Sequence, residues 1–147
     1  MPDIKRILCA VDFSETSEHA LDFALQLCTA TGADLRVVYA FALGEAGIVD
    51  DVLQLDPDTI LRLQEELRHR LEDMLARHVN LGVDVESVII QGEPSRGVGA
   101  AAVELRADLI VMGTHGRSDI EHLLLGSVAE KVVRTAPVPV ITVPLAG

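Results

Sequence analysis

The chain has 147 residues, 49% of them hydrophobic and 24% charged, and its twelve Lys and Arg against 23 Asp and Glu give a formal net charge of −11. This is the length of one domain, 1–147, able to bury roughly two thirds of the surface its unfolded form would expose. A balance this acidic repels phosphate backbones and anionic lipids, which argues against nucleic acid and membrane as partners, and no apolar run approaches the ~20 residues that cross a bilayer.

Met1-Pro-Asp-Ile-Lys-Arg enters a short strand-like run without a signal-peptide cleavage pattern, so a cytoplasmic location is expected. Lys5–Val11 is the first strand. Ala20, Ala24, Leu27 and Cys28, with Leu21 and Leu25 beside them, then recur at helical spacing and stop at Gly32. Cys9 and Cys28 fall within these apolar segments, away from any CxxC or Cys/His ligand spacing, and read as buried reduced thiols. Leu35–Phe41 is the second strand. After it the pattern dissolves from Ala42 to Leu55, a loop or lid in which Ile48, Val49, Val52, Leu53 and Leu55 are interleaved with acids.

Asp56-Pro57 is a helix start, an N-cap followed by proline at the first helical position. Ile60, Leu63, Leu67, Leu71 and Met74 mark one face of the long helix that follows. On the other face Glu66/Arg70 and Asp73/Arg77 stand four apart, as expected of a solvated surface. Val85–Ile90 is the third strand, and Gly92-Glu-Pro-Ser introduces a helix running to about Arg106, in which Gly97 and Gly99 permit close packing at about 1 kcal/mol each relative to alanine. Leu109–Met112, nearly all apolar, reads as a strand covered on both faces. A helix from Val128 and a strand Val138–Val143 complete the chain. Strands alternating with helices imply a doubly wound α/β fold: a parallel sheet with right-handed crossovers and about four helices, Rossmann-like. Pro137, Pro139 and Pro144 put the last strand at an edge, covered either by its own loops or by a second copy of the chain.

Between the fourth strand and the last helix lies Gly113-Thr-His-Gly116-Arg-Ser-Asp-Ile-Glu-His-Leu-Leu-Leu-Gly126-Ser127. In a doubly wound sheet ligands bind beyond the C-terminal strand ends where the winding reverses. Gly113 and Gly116 remove side chains at such an end and tolerate positive φ. Gly126 does the same before a helix whose Ser127, Val128 and Ala129 N–H groups sit at the positive end of its dipole, with the Ser127 hydroxyl beside them. Together they make an anion cradle built largely of backbone, to which Arg117 adds positive charge. A competing reading takes Ser127-Val-Ala-Glu130 as a capping box and nothing more. Asp12 likewise has an ordinary reading as a carboxylate capping the helix start at Ser14 to Ser17. His115 and His122 flank Asp119 at an irregular spacing typical of solvated loop histidines, and no G-x4-G-K-[ST] is present, so rapid hydrolysis is not expected.

The pattern Gly-x2-Gly-x9-Gly-Ser, met by Gly113, Gly116, Gly126 and Ser127, resembles the signature of the ATP-binding branch of the universal stress protein family. The resemblance extends to Val11-Asp12-Phe13-Ser14, to Gly92-x-Pro94 and to Pro137-Val-Pro-Val-Ile-Thr-Val, and leaves only 42–55 without a clear counterpart. It implies a five-stranded parallel sheet of order 3-2-1-4-5 and a homodimer joined through the last strand. It also implies an adenine nucleotide, with Asp12 at the adenosine end and Val11 and Ala40 lining the adenine pocket. Met112 and Gly113 would lie along ribose and base, and Gly116, Gly126, Ser127 and Val128 would hold phosphates. A Mg²⁺ or Mn²⁺ ion accompanying ATP would be held by phosphate oxygens, since no dedicated cage of carboxylates is in view.

The leading expectation is therefore an ATP-binding dimeric regulatory module of the stress response, with an unknown protein partner and at most slow hydrolysis or autophosphorylation. The alternatives are an interaction protein that binds AMP, ADP, cyclic AMP or nothing, and an enzyme processing adenine nucleotides. The latter needs an acid, base or metal constellation for which only His115, Asp119 and Glu130 are on offer. A phospho-acceptor receiver domain is excluded, because Asp12 has no adjacent acidic partner and the third strand ends in Gln91-Gly92 where an acceptor aspartate would stand.

Overall fold

The computed structural model describes residues 3–42, 56–78, 82–116 and 125–145. Its elements run β1 (Arg6–Ala10), α1 (Glu15–Thr31), β2 (Asp34–Phe41), α2 (Pro57–Arg77), β3 (Val85–Gln91), α3 (Pro94–Glu104), β4 (Leu109–Gly113), α4 (Ser127–Thr135) and β5 (Val140–Val143). The five strands form one parallel sheet in the order β3-β2-β1-β4-β5, in agreement with the order implied by the family resemblance.

Alternation along each strand divides the core into two layers. Ile7, Cys9, Leu35, Val37 and Val111 point to one face, where Ala20, Leu21 and Ala24 of α1 and Leu71 and Met74 of α2 cover them. Leu8, Val38, Ile110 and Met112 point to the other, under Val98, Ala101 and Ala102 of α3 and Ala129 and Val132 of α4. All five residues of β4 are buried, as its unbroken apolar run requires.

The helix ends follow local chemistry. Gly32 closes α1 in the left-handed region (φ 79°), its N–H donating to Cys28 O at 2.8 Å. Asp56 caps α2, its carboxylate accepting the Thr59 N–H at 2.7 Å, which holds that carboxyl below its usual range. Strands β1 to β4 match expectation to within one residue at each end, and three other boundaries differ for physical reasons. Helix α3 stops at Glu104, because Arg106 adopts a φ of 56° that no helix continues. Strand β5 starts at Val140 rather than Val138, since proline at 139 lends the sheet only its carbonyl, which accepts the Ile110 N–H at 3.0 Å. And α4 is capped by Gly126 with Ser127 at its first helical position, so the capping-box reading of Ser127 is overturned; Glu130 pairs with Arg134 instead.

The charged face of α2 also departs from expectation. Arg77 reaches α1 and donates to Glu18 at 2.7 Å, and His78 follows it, with Nδ1 2.5 Å from Asp22 and Nε2 3.4 Å from Glu18. These links tie the end of α2 to α1, and the Arg77 guanidinium keeps the Glu18 carboxyl below its usual range.

Candidate functional site

Strand β1 hands over to α1 on one face of the sheet, and its neighbour β4 hands over towards α4 on the other. Between the two departures a crevice must open at the C-terminal ends of the strands. A cavity of about 860 Å³ lies there, a size typical of small-molecule sites.

Most of the residues singled out in the sequence meet in this cavity. Val11, Asp12 and Ala40 come to it from the ends of β1 and β2, Met112 and Gly113 from the end of β4, Gly116 from the loop beyond, and Ser127 and Val128 from the first turn of α4. Gly126 stands behind them: its N–H donates to Thr114 O at 2.6 Å while the Thr114 N–H donates to Val143 O at 3.0 Å, which fastens the start of α4 to the end of the sheet. The helical ladder of α4 opens with Glu130 N–H to Gly126 O at 2.9 Å, so the main-chain N–H groups of Ser127, Val128 and Ala129 precede it at the cavity wall. Arg117, Ser118, Asp119, His122 and the segment 43–55 lie outside the described residues.

Asp12 is set by a tight local network. Its Oδ1 accepts the Ser14 N–H at 3.0 Å, its own N–H donates to Ser17 Oγ at 3.3 Å, and Ser14 Oγ in turn accepts the Ser17 N–H at 3.1 Å. The cap of α1 is thus Ser14, and Asp12 supports that cap from outside the helix rather than acting as it. To make this reversal Phe13 takes a φ of 66°.

The glycines divide by role. Gly113 is absent from the positive-φ glycines; its reason is proximity, for a β-carbon there would stand 2.7 Å from Thr16 Cγ2. Gly126, at φ −71° and ψ 168°, is likewise extended. Gly97 brings α3 against the sheet, since its β-carbon would meet Ala40 Cβ at 3.0 Å, whereas Gly99 faces open space and its expected packing role is not found.

Sequence reasoning passed over part of the wall. Tyr39 and Phe41, on the opposite side of β2 from Ala40, line the cavity with Leu63 and Leu67 of α2 and Pro94 and Val98 of α3. Their position near strand ends would have found Tyr39 and Phe41. Leu63 and Leu67 carried no such signal, because an apolar helix stripe reads alike whether it meets a core or a ligand. His115, expected in solvent, is half-buried in the wall with Nδ1 3.0 Å from Thr114 Oγ1. At the α3 side, Glu93 caps the helix: the Ser95 hydroxyl at 2.6 Å and the N–H groups of Arg96 and Ser95 hold its carboxyl below the usual range.

The chemistry on offer is that of a binding site. Among the described residues the cavity joins the Asp12 carboxylate and a helix N-terminus to a largely apolar lining, a combination suited to a ligand with hydroxyl or amine donors and an anionic tail. Among the described residues no group of three or more His, Cys, Asp and Glu is arranged to hold a metal ion, and no helix is long and apolar enough to cross a membrane.

Comparison with known proteins agrees with this architecture. The model of the universal stress protein family matches residues 3–144. A universal stress protein of Thermus aquaticus is 37% identical over 145 residues, covering 95% of this chain and 98% of the relative. One from Methanocaldococcus jannaschii is 29% identical over 152 residues, covering 95% and 94%, and its solved structure matches with a TM-score of 0.83 at 27% identity over 99% of both chains. A solved universal stress protein in complex with cAMP matches with a TM-score of 0.66 at 26% identity, over 99% of this chain and 100% of that one.

Proposed function

This chain belongs to the universal stress protein family, and we propose that it is a single-domain nucleotide-dependent regulatory module that binds an adenine nucleotide, ATP foremost, in the cavity between β1 and β4. The observation that carries this reading is the meeting of Gly113, Gly116 and the first turn of α4 with Asp12 in one cavity. The phosphates lie against the N–H groups of Ser127 and Val128, where the helix dipole offsets their charge in an otherwise acidic protein. Asp12 accepts hydrogen bonds from the nucleoside end, with Val11, Ala40 and Met112 as its apolar walls, and Arg117 adds a cation to the phosphates. A Mg²⁺ or Mn²⁺ ion fits here only as a companion of the phosphates, because the described residues supply no carboxylate cage for it.

Turnover is slow or absent on this reading. Hydrolysis needs a group that orients or deprotonates water, and His115, directed toward Thr114, is the imidazole in the described wall. Occupancy sets the shape or partner choice of a homodimer joined through β5. That strand is the edge of the sheet next to β4, and its four residues are half-buried in the single chain, so pairing with a second copy would cover them.

A second reading, a site for AMP or cyclic AMP, is favoured by the relative solved with cAMP. Titration calorimetry of nucleotide-stripped protein with ATP, ADP, AMP and cyclic AMP, with and without Mg²⁺, separates the two. Tightest binding of ATP near one per chain supports the first, preference for a monophosphate the second, and no heat from any nucleotide overturns both. Replacing Gly116 and Gly126 by valine should abolish binding while sedimentation still reports a folded dimer.

A further inference from the structure

The turn that sets Asp12 depends on a residue far from it in sequence. Phe13 holds a φ of 66°, a region that a bulky residue occupies only where its surroundings over-determine it. Phe13 packs against the core cluster beneath α1, and two side chains hold its ring directly. The Tyr39 ring of β2 stacks on the Phe13 ring with centroids 4.6 Å apart and planes 30° from parallel. On the same ring rests the Arg70 guanidinium of α2, its Cζ 4.2 Å from the centroid. Both belong to elements that wall the cavity: Tyr39 itself lines it, and Arg70 lies one turn beyond Leu67, which also lines it. The sequence pairs Arg70 with Glu66 on the helix surface; the fold lays it across Phe13.

We infer that Arg70 is a positioning residue for the nucleotide site, holding through Phe13 the left-handed turn that aims the Asp12 carboxylate into the cavity. This rests on the nucleotide reading above. The coupling is physical: Asp12 Oδ1 accepts the Ser14 N–H across Phe13, which ties the carboxylate to the turn that carries the ring. An exposed cation over an aromatic face is a modest interaction, and the same contact fastens the cavity-facing part of α2 to the start of α1. Nucleoside binding at Asp12 therefore depends on how α2 is seated.

The test compares wild type with Arg70→Met, Arg70→Lys, Phe13→Gly and the Phe13→Gly/Arg70→Met double variant, titrating each with AMP and with ATP and recording urea midpoints. Glycine adopts the turn without strain and carries no ring. Arg70→Met is expected to weaken binding roughly two- to fivefold, by the same factor for AMP and ATP because the effect lies at the nucleoside end. Arg70→Lys recovers part of the loss, and in the Phe13→Gly background Arg70→Met has no further effect. Wild type that binds while Arg70→Met binds equally well overturns the inference alone, as do losses that simply add in the double variant. Wild type that binds no nucleotide overturns the nucleotide reading and the positioning role with it.

Discussion

A β-carbon on Gly113 would stand 2.7 Å from Cγ2 of Thr16 and 3.3 Å from the Thr16 carbonyl carbon. The end of β4 therefore packs directly on the first turn of α1, the turn whose cap Asp12 supports. Gly113→Ala is expected to destabilise the protein by about 1–3 kcal/mol, the usual cost of overpacking a tight contact. Thr16→Ser removes the obstructing methyl and should recover part of that loss. Urea midpoints of the two single variants and the double variant decide it: strictly additive effects would show that the two residues do not collide.

The two glycines of α3 are expected to respond in opposite directions to the same change. Gly99 faces open space in a helix interior, so Gly99→Ala should stabilise by about 0.5–1 kcal/mol. Gly97→Ala drives a methyl into Ala40 Cβ, a backbone-fixed atom of β2 that cannot swing aside, and should destabilise despite the same gain in helix propensity. Because Ala40 lines the cavity, Gly97→Ala should also disturb ligand binding where Gly99→Ala does not. Thermal unfolding of each variant is sufficient, and equal shifts would contradict the packing.

Acid should weaken the fold through carboxylates held below their ordinary range, Glu18 by Arg77 and Glu93 by the Ser95 hydroxyl. The folded chain releases these protons more readily than the unfolded one. Their stabilisation is therefore complete above the ordinary glutamate value of 4.5 and is lost as pH falls from there through the lower folded values. Glu18→Gln and Glu93→Gln should be less stable than wild type at pH 7 and converge on it in acid. Urea midpoints across pH 3 to 7 (approximately that window) test this, and a constant gap at all pH values would exclude the mechanism.

Both thiols should be inert in the native protein. Burial pushes Cys28 up to about 11, aided by Asp34, and raises the fully buried Cys9 further. Since the thiolate is the nucleophile, an alkylating reagent near neutral pH should label neither cysteine in the folded chain and both after unfolding in urea. Rapid labelling of the native protein would mean that the α1 face opens far more readily than its packing implies.

What was legible in the chain was what local chemistry decides. Asp56-Pro57 starts a helix and Gly32 stops one because caps are made within a few residues, and the alternation of strand and helix follows from periodicity alone. Local pattern was ambiguous at Gly126-Ser127, where either residue type makes a good N-cap; the bond from Gly126 N–H to Thr114 O, across the intervening loop, selects the glycine. The stripe on α2 was also seen, but not its division into Leu71 and Met74 in the core and Leu63 and Leu67 on the cavity.

Local pattern is enough for a parallel α/β chain with a glycine-rich turn after the fourth strand, and the motif in that turn points to the family and through it to the strand order. The folded chain alone reveals that Gly113 answers to Thr16 and that Arg70 and Arg77 leave their own helix surface for Phe13 and Glu18. It also reveals that Asp12 and the first turn of α4 line one cavity. The reason is distance along the chain. Periodicity and caps are set by neighbours a few residues apart, whereas these contacts join segments tens of residues apart that meet only once the sheet has set β2 and β4 on either side of β1.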